Sequence, residues 1–262
     1  MKLRSIVALL ALAGAAPASP AAAQEGVSRI ATDRGSLLHY HVTLPPGPVR
    51  GIAILFVGGN GRLKLARRPE PGSPNFLVRA RGLFARSGFV VALPDAPSDR
   101  GREGLVGWRT SAGHMADIGK LARTLQRRWP VPVWLIGTSG GAISAAAGGA
   151  RVANIAGVVL TATVTRPGGR RPATVYDAPV RELALPVMVV HHRDDGCAVS
   201  PPNEAGRLFA RLAGATVREI RMMAGGRPGR GRACGPNSPH GFLGVERETV
   251  REIVNWIGTF DR

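Results

Sequence analysis

The chain has 262 residues, 44% of them hydrophobic, which suits one domain with a substantial core and excludes a disordered chain. Its formal net charge of +18 comes from 35 Lys and Arg against 17 Asp and Glu, a balance that bears on solubility and association rather than on fold. No later segment offers eighteen uninterrupted apolar residues, so stable membrane insertion is not expected.

The N-terminus starts with Lys2 and Arg4, runs through the apolar stretch Ile6 to Ala13, and reaches Ala21, Ala22 and Ala23 before Gln24. That is the layout of a secretory signal peptide. Residues 1–23 are expected to be removed, leaving one domain over 24–262 in a periplasm or outside the cell. In an oxidising compartment, Cys197 and Cys234 are expected to pair as a disulfide.

Arg29 to Thr32 and Leu37 to Leu44 read as short strands, the second alternating like an exposed antiparallel edge. Gly51 to Val57 is continuously apolar, as in a strand buried on both faces of a parallel sheet. Phe76, Leu77, Ala80, Leu83 and Phe84 give Asn75 to Arg86 a helical spacing. Phe89 to Leu93 is the next buried strand, and Met115 to Trp129 the next helix, stopped by Pro130. The strand Val131 to Ile136 then runs into Gly137-Thr138-Ser139-Gly140-Gly141, followed by a small-residue helix from Ala142 to Ala150. Ile155 to Leu160, Pro186 to Val190 and Val217 to Met222 read as strands, Pro202 to Leu212 and Val245 to Ile257 as helices. Strands alternating with helices in one domain indicate a single doubly wound, mostly parallel α/β sheet with helices on both faces.

The G-x-S-x-G match gains weight from its setting: a strand before it, a helix after it, and Ser238-Pro239-His240-Gly241-Phe242 just ahead of the last helix. In a strand–turn–helix setting the glycines allow a sharp turn that exposes the serine at the carboxyl edge of the sheet. With serine, acid and histidine in that order, the chain from Gly51 onward resembles the α/β-hydrolase superfamily, and within it the small cap-less serine esterases and dienelactone-hydrolase-like proteins. The latter typically carry cysteine where this chain has Ser139.

The resemblance implies a serine hydrolase, most simply a carboxylesterase working through an acyl-serine intermediate. Ser139 would be the nucleophile and His240 the base. The acid lies in His191-His192-Arg193-Asp194-Asp195, where the family's spacing favours Asp195 over Asp194 and puts His192 in place of the usual glycine. An oxyanion hole would take the Gly140 N–H and a donor from Gly58-Gly59-Asn60-Gly61, with Asn60 preferred to Gly59. The interval from Thr161 to Leu185 is too short for a large helical cap. A peptidase or acyltransferase on the same triad, and a non-catalytic hydrolase-fold protein binding anionic polymers, remain alternatives.

No cofactor is expected. The glycine loop lacks the Lys-Ser/Thr of a P-loop, no G-x-G-x-x-G is present, and adjacent His191 and His192 on a strand would point to opposite faces, against a metal site. The expected partner is a small-molecule ester or amide, with no nucleic acid. Three loops due at the sheet's carboxyl edge hold Arg62, Lys64, Arg67 and Arg68, then Arg166, Arg170, Arg171 and Arg181, then Arg227, Arg230 and Arg232, against Glu70, Asp177 and Glu182. Either this rim steers anionic substrates to the site, or an arginine-rich composition decorates solvent loops.

Overall fold

A computed structural model of the chain describes residues 25–168 and 172–261. The expected signal segment, Gln24, Arg170 and Arg171 lie outside them. Eight strands form one sheet: β1 (Gly26–Ala31), β2 (Leu37–Thr43), β3 (Gly51–Phe56), β4 (Phe89–Pro94), β5 (Val133–Thr138), β6 (Gly157–Thr161), β7 (Val187–His192) and β8 (Arg218–Met223). Their order is β1-β2-β4-β3-β5-β6-β7-β8. The β1–β2 and β2–β4 pairs are antiparallel and every other pair is parallel.

Continuous apolar sequence explains the parallel strands, because both of their faces are covered. Ile52, Ile54, Leu135 and Val158 point to one side, against Leu121 and Leu125 of α2 (Ala112–Arg128) and Ala142 and Ala145 of α3 (Gly141–Arg151). Ala53, Leu55, Ile136 and Val159 point to the other, against Phe76, Leu77 and Phe84 of α1 (Phe76–Arg86) and Ile253 and Ile257 of α5 (Glu246–Gly258). A shorter helix, α4 (Ala205–Arg211), packs beside β7 and β8. Helix starts follow local chemistry: the Asn75 side chain accepts from Leu77 N–H, and the Ser111 side chain from His114 N–H, supplying acceptors for donors that the first turn leaves free.

One expectation is corrected. β2 is not an exposed edge; it lies between β1 and β4, and β1 is the edge. Its alternation is real, but the polar face carrying His41 is covered by α1, and His41 is buried. Burial lowers the pKa of that imidazole, against the pull of Glu70. Between β6 and β7 the described residues form only two short 3-10 turns, Val175–Asp177 and Val180–Glu182, and no helical cap is found among them.

Candidate active site

Ser139 follows β5 directly and has a φ of 55°, the left-handed region that non-glycine residues rarely occupy and that costs on the order of 1–2 kcal/mol. Its N–H is held by Thr161 O at 2.9 Å on the neighbouring strand. The glycines on either side are sterically required. A Cβ on Gly137 would sit 2.3 Å from Gly141 O, and one on Gly141 would sit 2.0 Å from Phe56 O. The turn therefore closes only with glycine at both positions, and it leaves Ser139 partly exposed where α3 begins.

His240 is set by a second tight turn. Pro239–Gly241 forms a 3-10 turn, Phe242 after it is left-handed, and a Cβ on Gly241 would meet Pro236 O at 2.0 Å. Arg79 of α1 clamps this loop from below, donating to Pro236 O (3.1 Å) and Gly241 O (2.8 Å) while pairing with Glu246 (2.8 Å). His240 Nδ1 lies 2.9 Å from Asp195 Oδ2, and both residues are buried. Asp194, by contrast, holds its side chain 71% exposed, so the two aspartates are separated by environment as well as by one position.

Asp195 is surrounded by donors. Oδ1 accepts from Cys197 N–H at 2.9 Å; Oδ2 also has His191 Nε2 at 3.2 Å and Ser200 Oγ at 3.4 Å. His191 Nε2 is 2.9 Å from Ser200 O, and a carbonyl only accepts, so that nitrogen carries its proton. Burial pushes the Asp195 carboxyl up, but the bonds from His191 and His240, the His240 charge and the Cys197 N–H outweigh it and hold the pKa at about 2. Cys197 is bonded to Cys234, tying the acid turn to the loop that precedes His240. Asp195, Cys197 and His240 place donor atoms within 4.8 Å of one another, but a sulfur in a disulfide is no thiolate ligand. His192 points the other way, to Gly225 O at 3.1 Å.

Ser139 and His240 face one cavity of about 320 Å³, whose walls include Gly58, Gly59, Asn60 and Arg62. Ser139 also opens on a second cavity of about 470 Å³, lined by Gly140, Leu105, Val106, Ile143, Val164 and Val199. Behind the elbow, buried Arg109 donates to Val57 O (3.1 Å), Gly59 O (3.3 Å) and Ser144 Oγ (2.8 Å), fixing the loop after β3 against α3. His114 Nε2 sits 3.0 Å from the same Ser144 hydroxyl. Burial first, then the charges of Arg109 and Arg34, lower its pKa to about 3.

Three solved structures share this arrangement of elements. A carboxyl esterase from Bacillus coagulans aligns over 91% of this chain and 100% of its own, with a TM-score of 0.63 and 14% identity. The esterase Pf2001 of Pyrococcus furiosus covers 90% and 91%, with a TM-score of 0.62 and 14% identity. A lid-less α/β serine hydrolase from Xanthomonas campestris covers 90% and 98%, with a TM-score of 0.59 and 15% identity. The fold is that of the α/β hydrolases. No protein-family model matches the sequence, and no curated protein does.

Within the hydrolase fold, the loop after β3 has its own geometry. The Asn60 amide is turned to Arg102 O at 3.3 Å, while a Cβ position on Gly140 lies 3.8 Å from Gly59 N. Gly59 thus adjoins the elbow more closely than Asn60 does. The charged rim is also less uniform than its sequence. Arg166 pairs with Glu204 at 3.0 Å, and Arg227 and Arg230 line a separate cavity without Ser139. Among the described residues, only the first loop brings a cation, Arg62, to the cavity that holds Ser139 and His240. Arg79, Arg109 and the role of His191 carry no local sequence signature; a buried arginine cannot be told from a surface one by its neighbours in the chain.

Proposed function

We propose that the chain is an exported serine hydrolase, a carboxylesterase acting through an acyl-Ser139 intermediate. The observation that carries this reading is the buried His240–Asp195 bond at 2.9 Å, whose imidazole lines the same cavity as a strained serine. With Nδ1 held by Asp195, His240 offers Nε2 to take the Ser139 proton during attack. Asp195 keeps the ring in that tautomer and stabilises the imidazolium. It stays ionised throughout, which its low pKa supports.

Charge developing on the carbonyl oxygen is met by backbone donors fixed before substrate arrives. Gly140 N–H, at the start of α3, is one. Gly59 is the better second donor than Asn60, because it lies nearer Gly140 and the carbonyl of the peptide that carries its N–H, Gly58 O, is held by Gly61 N–H at 3.2 Å. His240 then returns the proton to the leaving oxygen and later activates the water that releases the acid. The similar structures, two esterases and a serine hydrolase, support an ester substrate. The N-terminal layout and the Cys197–Cys234 bond support export.

Ser139→Ala tests the reading. Fluorophosphonate labelling should vanish, and kcat/KM on a p-nitrophenyl ester should fall by roughly 10⁴-fold or more with the far-UV circular dichroism unchanged. A variant that stays labelled would remove Ser139 from the nucleophile's role.

A further inference from the structure

Two cavities meet at Ser139, and they differ in chemistry. The imidazole that protonates the leaving oxygen must lie on the leaving-group side of the scissile bond. His240 lines only the smaller cavity, so that one receives the alcohol portion, and the larger cavity with Ile143, Val164 and Val199 receives the acyl chain. Among the described residues the charged groups of the acyl side are engaged: Asp177 there is held by Thr174 N–H at 2.6 Å, and Arg109 donates to Val57, Gly59 and Ser144.

The alcohol side leads to charge. Arg62 lines the His240 cavity and also a neighbouring one of about 550 Å³, where Lys64, Arg67 and Arg102 join it. Among the described residues none of these four side chains makes an ion pair or a side-chain hydrogen bond. Three of the four acids nearby are already engaged. Asp95, the one carboxylate in that wall, accepts from Leu63, Leu65 and Ala96 N–H at 2.6, 2.7 and 2.8 Å. Glu70 pairs with Arg81 at 2.8 Å and Asp99 with Arg34 at 3.0 Å, while Glu103 beside Arg102 is exposed. The loop is also built rather than slack. Asp95 clamps the amides on both sides of Lys64, the two leucines are buried, and Lys64 stands out at a φ of 60°.

We propose that this basic cavity is an anion subsite for the leaving group, and that the preferred substrate is an ester of an apolar acid with an alcohol bearing a carboxylate or phosphate. The proposal rests on the reading of Ser139 and His240 as nucleophile and base. Unpaired cations of one sign in a concave wall concentrate an anionic ligand, and the effect fades with salt.

The test compares 4-hydroxybenzoate hexanoate with its neutral twin, 4-hydroxybenzamide hexanoate, in the parent enzyme and in the triple variant Arg62→Gln, Lys64→Gln, Arg67→Gln. The ratio of their kcat/KM values should be roughly ten-fold higher in the parent at low ionic strength and should converge on the variant's at high salt. Phenyl hydrogen adipate, with its carboxylate on the acyl side, should be turned over more slowly than phenyl hexanoate. Calorimetry on Ser139→Ala should show 4-hydroxybenzoate binding more tightly than 4-hydroxybenzamide, and phosphoethanol hexanoate compared with the hydroxyethyl ester separates phosphate from carboxylate as the anion. An unchanged ratio in the variant overturns the subsite; a preference for the adipate overturns the assignment of sides. Failure to hydrolyse any ester, with no label on Ser139, overturns the hydrolase reading itself.

Discussion

At the scale of single residues, the site separates two adjacent carboxylates by what surrounds them. Asp195 is enclosed by four donors and Asp194 stands in water. Asp195→Asn should therefore lower kcat by about 10⁴-fold, because the amide favours the wrong imidazole tautomer. Asp194→Asn should change it by no more than about two-fold, as exposed substitutions usually do. Stopped assays of both variants on one ester check this, and the reverse ranking would move the acid by one position. Much of this was legible in the sequence. Glycines around Ser139, a histidine before the last helix and an aspartate at the end of β7 each stood in a recognisable local setting. What the sequence concealed is lateral: Arg79 and Arg109 work through carbonyls far away in the chain, and only packing brings them there. The choice between Gly59 and Asn60 as second donor is of the same kind, since the direction of a loop amide depends on what anchors the loop.

At the scale of elements, the site is a junction of loops from β5, β7 and the segment before α5, and one covalent bond joins the last two. The Cys197–Cys234 bond closes a loop with a sequence separation of 37, for which chain entropy gives about 4 kcal/mol of stabilisation. Cys197 N–H also holds Asp195 Oδ1, so the bond and the acid share a backbone segment. Cys234 is exposed while Cys197 is buried, which leaves the bond open to a thiol reductant. Dithiothreitol should lower both the melting temperature and kcat, and Cys197→Ser with Cys234→Ser should reproduce the loss in KM-saturated assays. Alkylation of two thiols in untreated, exported protein would show that the bond does not form. The elements themselves were well read from hydrophobic pattern, because runs without polar residues mean burial on both faces. β2 was misread because alternation reports two different faces, not solvent on one of them.

At the scale of the whole molecule, acid should act through a buried group that lines neither cavity at Ser139. His114 is fully enclosed beside Arg109, and its Nδ1 has no partner among the described residues. Its pKa falls from 6.5 to about 3 on folding. Above the unfolded value the ring is neutral in both states and has no effect on the balance. Below it, the unfolded chain takes up the proton first, so stability drops progressively from about pH 6.5 toward pH 3. The Asp195 contribution acts in a lower window, since its depressed pKa matters only as pH falls from about 4 to 2. Melting temperatures at pH 7 and pH 5 should therefore show a loss in the parent protein and a smaller loss in His114→Gln, whatever the variant's absolute stability. Equal losses would place the acid sensitivity elsewhere.

The bare connection between β6 and β7 carries one more consequence. Where a helical cover must swing aside, substrate waits for a door, and the intermediate forms in a shut room. Here Ser139 is partly exposed and, among the described residues, no helix has to move before water reaches it. On the proposed reading, release of the acyl group would then need no opening step, and turnover would be paced by chemistry or by departure of the acid.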